Sequence, residues 1–225
     1  MTRIEEILDP KSKYTDENDV LLNELGLKDQ DELTQAERMI TSYKLSKLYL
    51  NPGKQTFDVN HYLSIHKYLF SGVYSFAGQI RDEVIEKSYT FCLPQYIYQY
   101  LKYTLEEANK SAKRVTNRDE LLQFYFHYFV ELDAIHPFRE GNGRTEREYL
   151  RQLVEHICKM NHLDNYYFDF NLIESKEEYS KACVMAVTAP DNELGLEMKK
   201  PLVNMFDRIL VVREKELELD KSSQK

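Results

Sequence analysis

A chain of 225 residues can form one sizeable core, and its 42% hydrophobic and 30% charged residues are typical of a soluble globular protein. The formal net charge of −8 argues against direct binding of nucleic acid, because phosphate contacts need clustered Lys and Arg. No segment approaches the roughly 18 apolar residues of a membrane-spanning helix, and three widely spaced cysteines fit a reducing compartment, so a cytoplasmic protein is predicted.

Before residue 94 the chain is predicted to contain an extended arm, two helices and one hairpin. Residues 1–30 are expected to form an extended arm, residues 31–218 a single domain, and residues 219–225 a polar tail. Helices are predicted over 31–50 and 58–70, the first with Thr34 and Glu37 in capping-box spacing near its start. Short β-prone pieces on both sides of residues 86–88 predict a small hairpin over 84–91.

The second half is predicted to contain five more helices. In one of them Leu150, Leu153, Val154 and Ile157 lie on one helix face, and Ser175 with Glu178 marks another helix start. With only 7 Gly and 6 Pro, the chain has few residues that interrupt helices. The predicted fold is therefore a mainly α helical bundle with a small β-hairpin. These five helices are expected over residues 94–111, 118–132, 143–160, 175–187 and 191–218.

The segment IHPFREGNGRTER, residues 135–147, contains the residues suited to chemistry at phosphorus. Pro137 disfavours helical geometry at His136, so a helix should end there and a short loop should follow. Gly141 and Gly143 allow backbone conformations that turn successive N–H groups toward one anion. The next helix adds about half a positive charge at its amino end, so this loop is predicted to bind phosphate.

Four side chains of the same segment extend this prediction. Arg144 and Arg147 are three residues apart and should lie on one face of the first helical turn, where both can reach phosphates. Glu140 is a hard oxygen ligand that could hold Mg²⁺ against them. His136, with a reference pKa near 6.5, is largely neutral at about pH 7 and can accept a proton. A base, a metal carboxylate, an amide nest and two guanidinium groups suit transfer at phosphorus.

This segment resembles the signature of the Fic (filamentation induced by cAMP) family at every specified position. That signature is His-Pro-Phe, any residue, Asp or Glu, Gly-Asn-Gly-Arg, any two residues, then Arg. Residues 14–50 and the segment LFSGVYSFAGQIR are also similar to parts of bacterial Fic toxins, so the resemblance covers residues 14 to about 187. It implies a Fic-type helical bundle in which residues 84–91 form a flap.

The resemblance implies that the protein is an adenylyltransferase, which moves AMP from ATP to a Tyr, Thr or Ser hydroxyl of another protein and releases pyrophosphate. His136 would be the base, Phe138 would anchor the loop, and Glu140 would bind Mg²⁺. The α-phosphate region would be held by Asn142 with the amides of Gly141 and Gly143, and the β- and γ-phosphates by Arg144 and Arg147. The flap residues that dock the target by strand-like pairing would be Val84, Ile85, Lys87, Tyr89 and Phe91.

Fic enzymes are often restrained by a helix of the pattern Ser or Thr, three residues, Glu, then Gly or Asn. Thr2 with Glu6 and Thr116 with Glu120 have that spacing, but an apolar residue follows each glutamate. The absence resembles the subclass whose inhibitor is a separate small antitoxin, so such a partner is expected for a toxin or an injected effector.

Two alternatives to adenylylation stay open at this point. The same fold could transfer UMP or phosphocholine, because the nest recognises phosphate and not the base. A relative that acts as a kinase has Lys at the position of Gly143, so the glycine favours nucleotidyl transfer. The chain could also be a non-catalytic module that binds nucleotide, although such a module needs neither His136 nor Glu140.

Overall fold

The computed structural model describes residues 12–213, so the first eleven residues and the predicted tail lie outside the described part. Within that part the chain is mainly α, as predicted, with seven helices and one two-stranded antiparallel sheet. The helices are α1 (Gln30–Leu50), α2 (Val59–Phe70), α3 (Pro94–Ala112), α4 (Arg118–Ile135), α5 (Asn142–Met160), α6 (Lys176–Val187) and α7 (Glu193–Ile209); a 3₁₀ turn covers Phe170–Leu172, and the strands are β1 (Tyr166–Phe168) and β2 (Leu210–Val212).

Short polar side chains begin several of these helices by accepting the first free backbone N–H groups. Ser175 caps α6 through the N–H of Glu178, as its spacing predicted. The capping box predicted for α1 is wrong: Asp29 is the N-cap and accepts from the N–H groups of residues 31 and 32. Thr34 and Glu37 lie inside the helix, and Glu37 is buried, where it takes part in the candidate site described below.

The prediction of one helix over 191–218 is also wrong in its second part. The helix α7 ends at Ile209, and the next three residues form β2, which pairs antiparallel with β1. In that pairing Tyr167 lies opposite Val211. The run Ile209 to Val212 is rich in β-branched residues, which favour a pleated surface once a partner strand is available. The partner is more than forty residues away, and residues 214–218 lie outside the described part.

The predicted hairpin over 84–91 is present only as a tight turn. A single isolated bridge joins Glu86 to Thr90, with backbone hydrogen bonds from the N–H of Lys87 to Tyr89 and from that of Phe91 to Ile85. The two-stranded sheet of the fold is therefore a different element, formed by β1 and β2. We keep the name flap for residues 84–91.

The helices α4 and α5 occupy the middle of the core. The helix α4 packs against α3, α5, α6 and α7, while α5 also packs against α2 and β1. Much of the core is aromatic, and Tyr125 of α4 stacks on Phe168 of β1 with ring centroids 3.6 Å apart. The loop between α4 and α5 is thereby placed between α2, the flap and α6. In the described part of the chain, no helix has the length and apolarity needed to cross a membrane.

Candidate active site

The loop from His136 to Gly141 is anchored by an aromatic side chain in the core. His136 ends α4 in the left-handed conformation, with φ 48°, which turns the chain away from the helix axis before Pro137. Phe138 is fully buried and stacks on His66 of α2 with centroids 3.7 Å apart, and on Tyr62 at 5.8 Å. Both partners lie on the buried face of α2, so packing against this helix fixes the position of the loop.

The side chain of Asn142 closes the loop on itself. Its Oδ1 accepts from the N–H of Phe138 at 2.8 Å, and its Nδ2 donates to the carbonyl of the same residue at 2.7 Å. The sequence predicted that this residue would help to hold a phosphate. These two bonds fix the shape of the loop and use one of the two N–H donors of the side-chain amide, so the role of Asn142 toward phosphate stays a prediction.

The amino end of α5 is the predicted anion-binding surface, and the two glycines there differ in backbone conformation. Gly141 has a left-handed backbone, with φ 83°, and a Cβ there would overlap the ring of Phe70. Gly143, in contrast, lies within the first turn of α5 and has no positive φ. Its missing side chain leaves space beside Arg147, since a Cβ would lie 3.2 Å from a guanidinium nitrogen. No side chain caps α5, so its first N–H groups are available to a ligand.

A buried histidine of α2, His66, holds this loop by a hydrogen bond. The Nδ1 atom of His66 accepts from the N–H of Gly78 at 2.7 Å, and its Nε2 donates to the carbonyl of Glu140 at 2.9 Å. Burial is the main cause that lowers the pKa of His66 from 6.5 to about 4, so the imidazole is neutral near pH 7. Sequence analysis missed this residue. The sequence shows only a histidine on the apolar face of a predicted helix, and this pattern is too common to indicate a role.

One ring nitrogen of the predicted base His136 takes part in a hydrogen bond. Its Nδ1 is 3.3 Å from the carbonyl oxygen of Asp133, and the ring of Phe91 stacks on the imidazole at 3.8 Å. A carbonyl can only accept, so the proton of neutral His136 resides on Nδ1. Among the hydrogen bonds of the described residues none uses Nε2 of His136, which is therefore the nitrogen able to accept a proton.

The two motif arginines have different surroundings. Arg144 is paired with Glu37 of α1 at 2.6 Å and also contacts Thr41 at 3.1 Å and Glu140 at 3.4 Å. Tyr74 donates its hydroxyl to the second oxygen of Glu37. Arg147 lies over the ring of Phe170 at 5.3 Å and has no carboxylate within 4 Å in the described part of the chain. Sequence analysis missed Glu37 as a site residue because its position indicated a helix cap.

Glu140, the predicted metal ligand, has one oxygen engaged and the other available. Its Oε1 accepts from the N–H of Gly141 at 2.8 Å and contacts Arg144, while its side chain is 43% exposed. Over residues 12–213 no three metal-ligating side chains are grouped closely enough to hold a metal ion by themselves. The residues present fit a Mg²⁺ ion held by one carboxylate and completed by water and phosphate oxygens.

A cavity of about 550 Å³ lies between the flap, α4, α5 and α6 and is large enough for a nucleoside phosphate. Glu140 and Arg144 line a second cavity of about 370 Å³, and Arg147 lines both. The flap contributes Lys87, Ser88, Tyr89 and Phe91 to the larger cavity. Neither Val84, which is half exposed, nor Ile85 lines that cavity. The remaining wall comes from α4, α5 and α6: Phe129, Asp133, His136, Gly143, Glu146, Arg147, Tyr179, Ser180, Lys181, Cys183 and Val184.

Comparison with known proteins links this site to one family. The sequence model described as "Fic/DOC family" matches residues 56–154, which include the helix α2, the flap and the whole motif. The protein adenylyltransferase VbhT of Bartonella schoenbuchensis is 36% identical over 170 residues, which cover 73% of this chain and 34% of VbhT. The chain thus spans about a third of the length of that relative.

A second relative agrees with this assignment, and a solved structure shares the fold. The protein named "Probable protein adenylyltransferase y4lH", from Sinorhizobium fredii, is 32% identical over 140 residues, which cover 61% of this chain and 71% of y4lH. The crystal structure of BepC from Bartonella tribocorum, with bound AMPPNP, superposes with a TM-score of 0.73 at 22% identity. That superposition covers 89% of this chain and 97% of BepC, and it establishes a common fold.

Proposed function

The chain belongs to the Fic/DOC family, and from this premise we propose that it is a protein adenylyltransferase, transferring AMP from ATP to a Tyr, Thr or Ser hydroxyl. One observation carries the proposal. His136, whose Nε2 makes no hydrogen bond in the described part, lines the same cavity as Gly143 and Arg147 at the uncapped amino end of α5. A base beside an anion-binding helix end can act on a hydroxyl that attacks a bound phosphate.

In the proposed reaction every bond that forms is matched by one that breaks, and the residues of the site supply the groups required. Nε2 of His136 takes the proton of the target hydroxyl, whose oxygen forms a bond to the α-phosphorus of ATP. The bond from the α-phosphorus to the oxygen that bridges the α- and β-phosphates breaks, and pyrophosphate leaves with its electron pair. His136 then gives the proton to water. The N–H groups at the start of α5 would hold the α-phosphate region, and Arg144 and Arg147 the β- and γ-phosphates.

The proposed cofactor is Mg²⁺, held by the available oxygen of Glu140 together with phosphate oxygens and water. When bound, it would reduce the negative charge of the phosphates that face the attacking oxygen. Arg144 shares Oε1 of Glu140, so the arginine and the other carboxylate oxygen can act on the nucleotide at once. Glu37 neutralises part of the charge of Arg144, so of the two motif arginines only Arg147 has no carboxylate partner in the described part.

Incubation of the purified chain with Mg²⁺, a bacterial lysate and labelled ATP, UTP or CTP tests the proposal. We expect a label from the α-phosphate of ATP on lysate proteins, and none from the γ-phosphate. His136→Ala should lose this labelling by about 10²–10⁴-fold while it keeps nucleotide binding. His127→Ala, a matched change at an exposed histidine of α4, should label like the wild type. Equal labelling by the two variants would refute the assignment of His136 as the base.

We also propose regulation by a separate small antitoxin, for a toxin in the bacterial cytosol or an effector in the host cytosol. The supporting observation is Arg147, which lines a cavity with Phe170 and Arg151 and has no carboxylate within 4 Å in the described part. A glutamate supplied by a partner helix could form a charge-assisted pair with this arginine and compete with the γ-phosphate. A helical peptide with the pattern Ser-x-x-x-Glu-Gly should inhibit transfer, and the same peptide with Gly in place of Glu should bind without inhibiting.

A further inference from the structure

We propose that Asp133 is a positioning residue for His136, and that Tyr89 ties this aspartate to the flap. The inference rests on the proposed function and adds a residue outside the motif. The nearest oxygen of the Asp133 carboxylate lies 3.6 Å from Nδ1 of His136, and its backbone carbonyl lies 3.3 Å from the same nitrogen. One residue thus presents two oxygens to the nitrogen that carries the proton.

A flap residue contacts the second oxygen of the same carboxylate. The hydroxyl of Tyr89 donates to the other oxygen of Asp133 at 3.4 Å, and Tyr89 packs edge-on against Phe91 with centroids 4.7 Å apart. Phe91 in turn stacks on the imidazole of His136. The base is therefore oriented by two adjacent contacts, one with the aromatic ring of the flap and one with an aspartate that the flap also holds.

Other ionisable groups near His136 do not supply an equivalent charge. Burial, and next the charge of Asp133, raise the pKa of Glu146 well above its usual range, so this carboxyl favours its neutral form. In the described part of the chain, Asp133 provides the carboxylate oxygen within 4 Å of the His136 ring. The ionisable groups that line the cavity with His136 are Lys87 and Tyr89 from the flap, Asp133 from α4, Glu146 and Arg147 from α5, and Tyr179, Lys181 and Cys183 from α6.

This arrangement has a consequence for proton transfer. When Nε2 takes the proton of the target hydroxyl, the imidazole becomes positively charged, and a carboxylate beside Nδ1 stabilises that charge. The backbone carbonyl alone would keep the proton on Nδ1 but would add no net charge. Tyr89 moderates the effect, because a donated hydrogen bond withdraws part of the negative charge of Asp133. A target segment that moves the flap would therefore alter the basicity of His136.

Two readouts test the inference, one of which needs no transfer activity. The ¹⁵N signals of the His136 ring report its tautomer and its titration midpoint in the purified chain. The rate of AMP transfer to lysate proteins from pH 5.5 to 9, at saturating ATP, reports the base in action. Asp133→Asn should lower the titration midpoint of His136 by about one pH unit and shift the acid limb of the rate profile to lower pH by the same amount. It should also lower the plateau rate about tenfold.

A second variant predicts the opposite sign. Tyr89→Phe should move the midpoint and the acid limb to higher pH by a smaller amount, because the carboxylate then keeps its full charge. Glu131→Gln removes an exposed carboxylate from the same helix and should leave both readouts at wild-type values. A purely structural role for Asp133 would change the melting temperature without moving either midpoint.

The outcomes separate this inference from the proposed function. A midpoint that stays unchanged in Asp133→Asn overturns the inference, whatever the transfer activity. If that variant does not fold, a midpoint that is unchanged in Tyr89→Phe overturns it. A wild-type chain that titrates as expected but transfers no AMP would refute the proposed function and leave the assignment of Asp133 standing.

Discussion

The motif loop and the flap face each other across one cavity but are held in opposite ways. The loop is fixed from inside: Phe138 is fully buried, Asn142 bonds the loop to itself, and His66 holds the carbonyl of Glu140. The flap has one bridge and two backbone hydrogen bonds, and Val84 is 53% exposed. Groups that we propose perform the chemistry thus lie on a packed element, whereas groups predicted to meet a variable target lie on a weakly held one.

The ends of the flap are held much more firmly than its tip. Arg81 is almost fully buried and donates to four backbone carbonyls, at both ends of the flap and in the motif. This set links the two regions, since a change in the path of the flap must move the backbone beside the base. The acceptors are the carbonyl groups of Glu83, Cys92, Ile135 and His136.

The largest expected effect comes from adding one methyl group to the loop. Gly141→Ala forces a left-handed backbone on alanine, which costs roughly 1–2 kcal/mol, and presses a Cβ into the ring of Phe70, which costs roughly 1–3 kcal/mol. We expect the free energy of unfolding to fall by about 2–5 kcal/mol, measured by urea denaturation, with loss of nucleotide binding.

A second glycine provides the matched control for this change. Gly53 has a similar φ of 71°, but no atom lies within 4 Å of the position that a Cβ would take, so Gly53→Ala should cost only the backbone term. An equal loss of stability in the two variants would mean that the contact between the loop and Phe70 contributes nothing.

The next prediction concerns the buried histidine below the loop. The pKa of His66 is about 4 in the folded chain and 6.5 in the unfolded chain, so the unfolded chain binds more protons between these values. The stabilisation is complete above about pH 6.5 and is lost as the pH falls toward 4, by roughly 3 kcal/mol in all. Between pH 7.5 and 5.0 the wild type should lose about 2 kcal/mol more unfolding free energy than His66→Gln.

Other ionisable groups also make the free energy of unfolding depend on pH. Their contributions cancel when the wild type is compared with His66→Gln. Burial also lowers the pKa of His61, so this residue destabilises the fold at low pH in the wild type and the variant alike. Parallel loss of stability in both proteins across the same pH range would show that burial does not hold His66 neutral.

The smallest expected effect is at the exposed first residue of the flap. Val84→Asp should leave the melting temperature and ATP binding unchanged, because this side chain is half exposed and does not line the cavity. The KM for a target should rise about tenfold, since burial of a valine side chain against a partner contributes roughly 1.5 kcal/mol. Leu196→Asp, at an exposed position of α7, is the control and should leave the KM unchanged.

The sequence by itself determined the features that depend on near neighbours. The cap at Ser175, the end of α4 before Pro137, and the open start of α5 follow from residues within one helical turn. The motif residues predicted for chemistry are also close in sequence, so any fold that keeps the turn from α4 to α5 brings them together. These predictions needed no knowledge of how distant parts of the chain pack.

Only the tertiary structure decided which residues support the motif from elsewhere. Glu37 looked like part of a helix cap and is the buried partner of Arg144, more than one hundred positions away. His66 looked like any histidine on an apolar helix face, and the strand from Leu210 to Val212 looked like the continuation of a helix. In each case the residue type permits several local structures, and the choice is made by a hydrogen-bond partner that only the packing of distant segments provides.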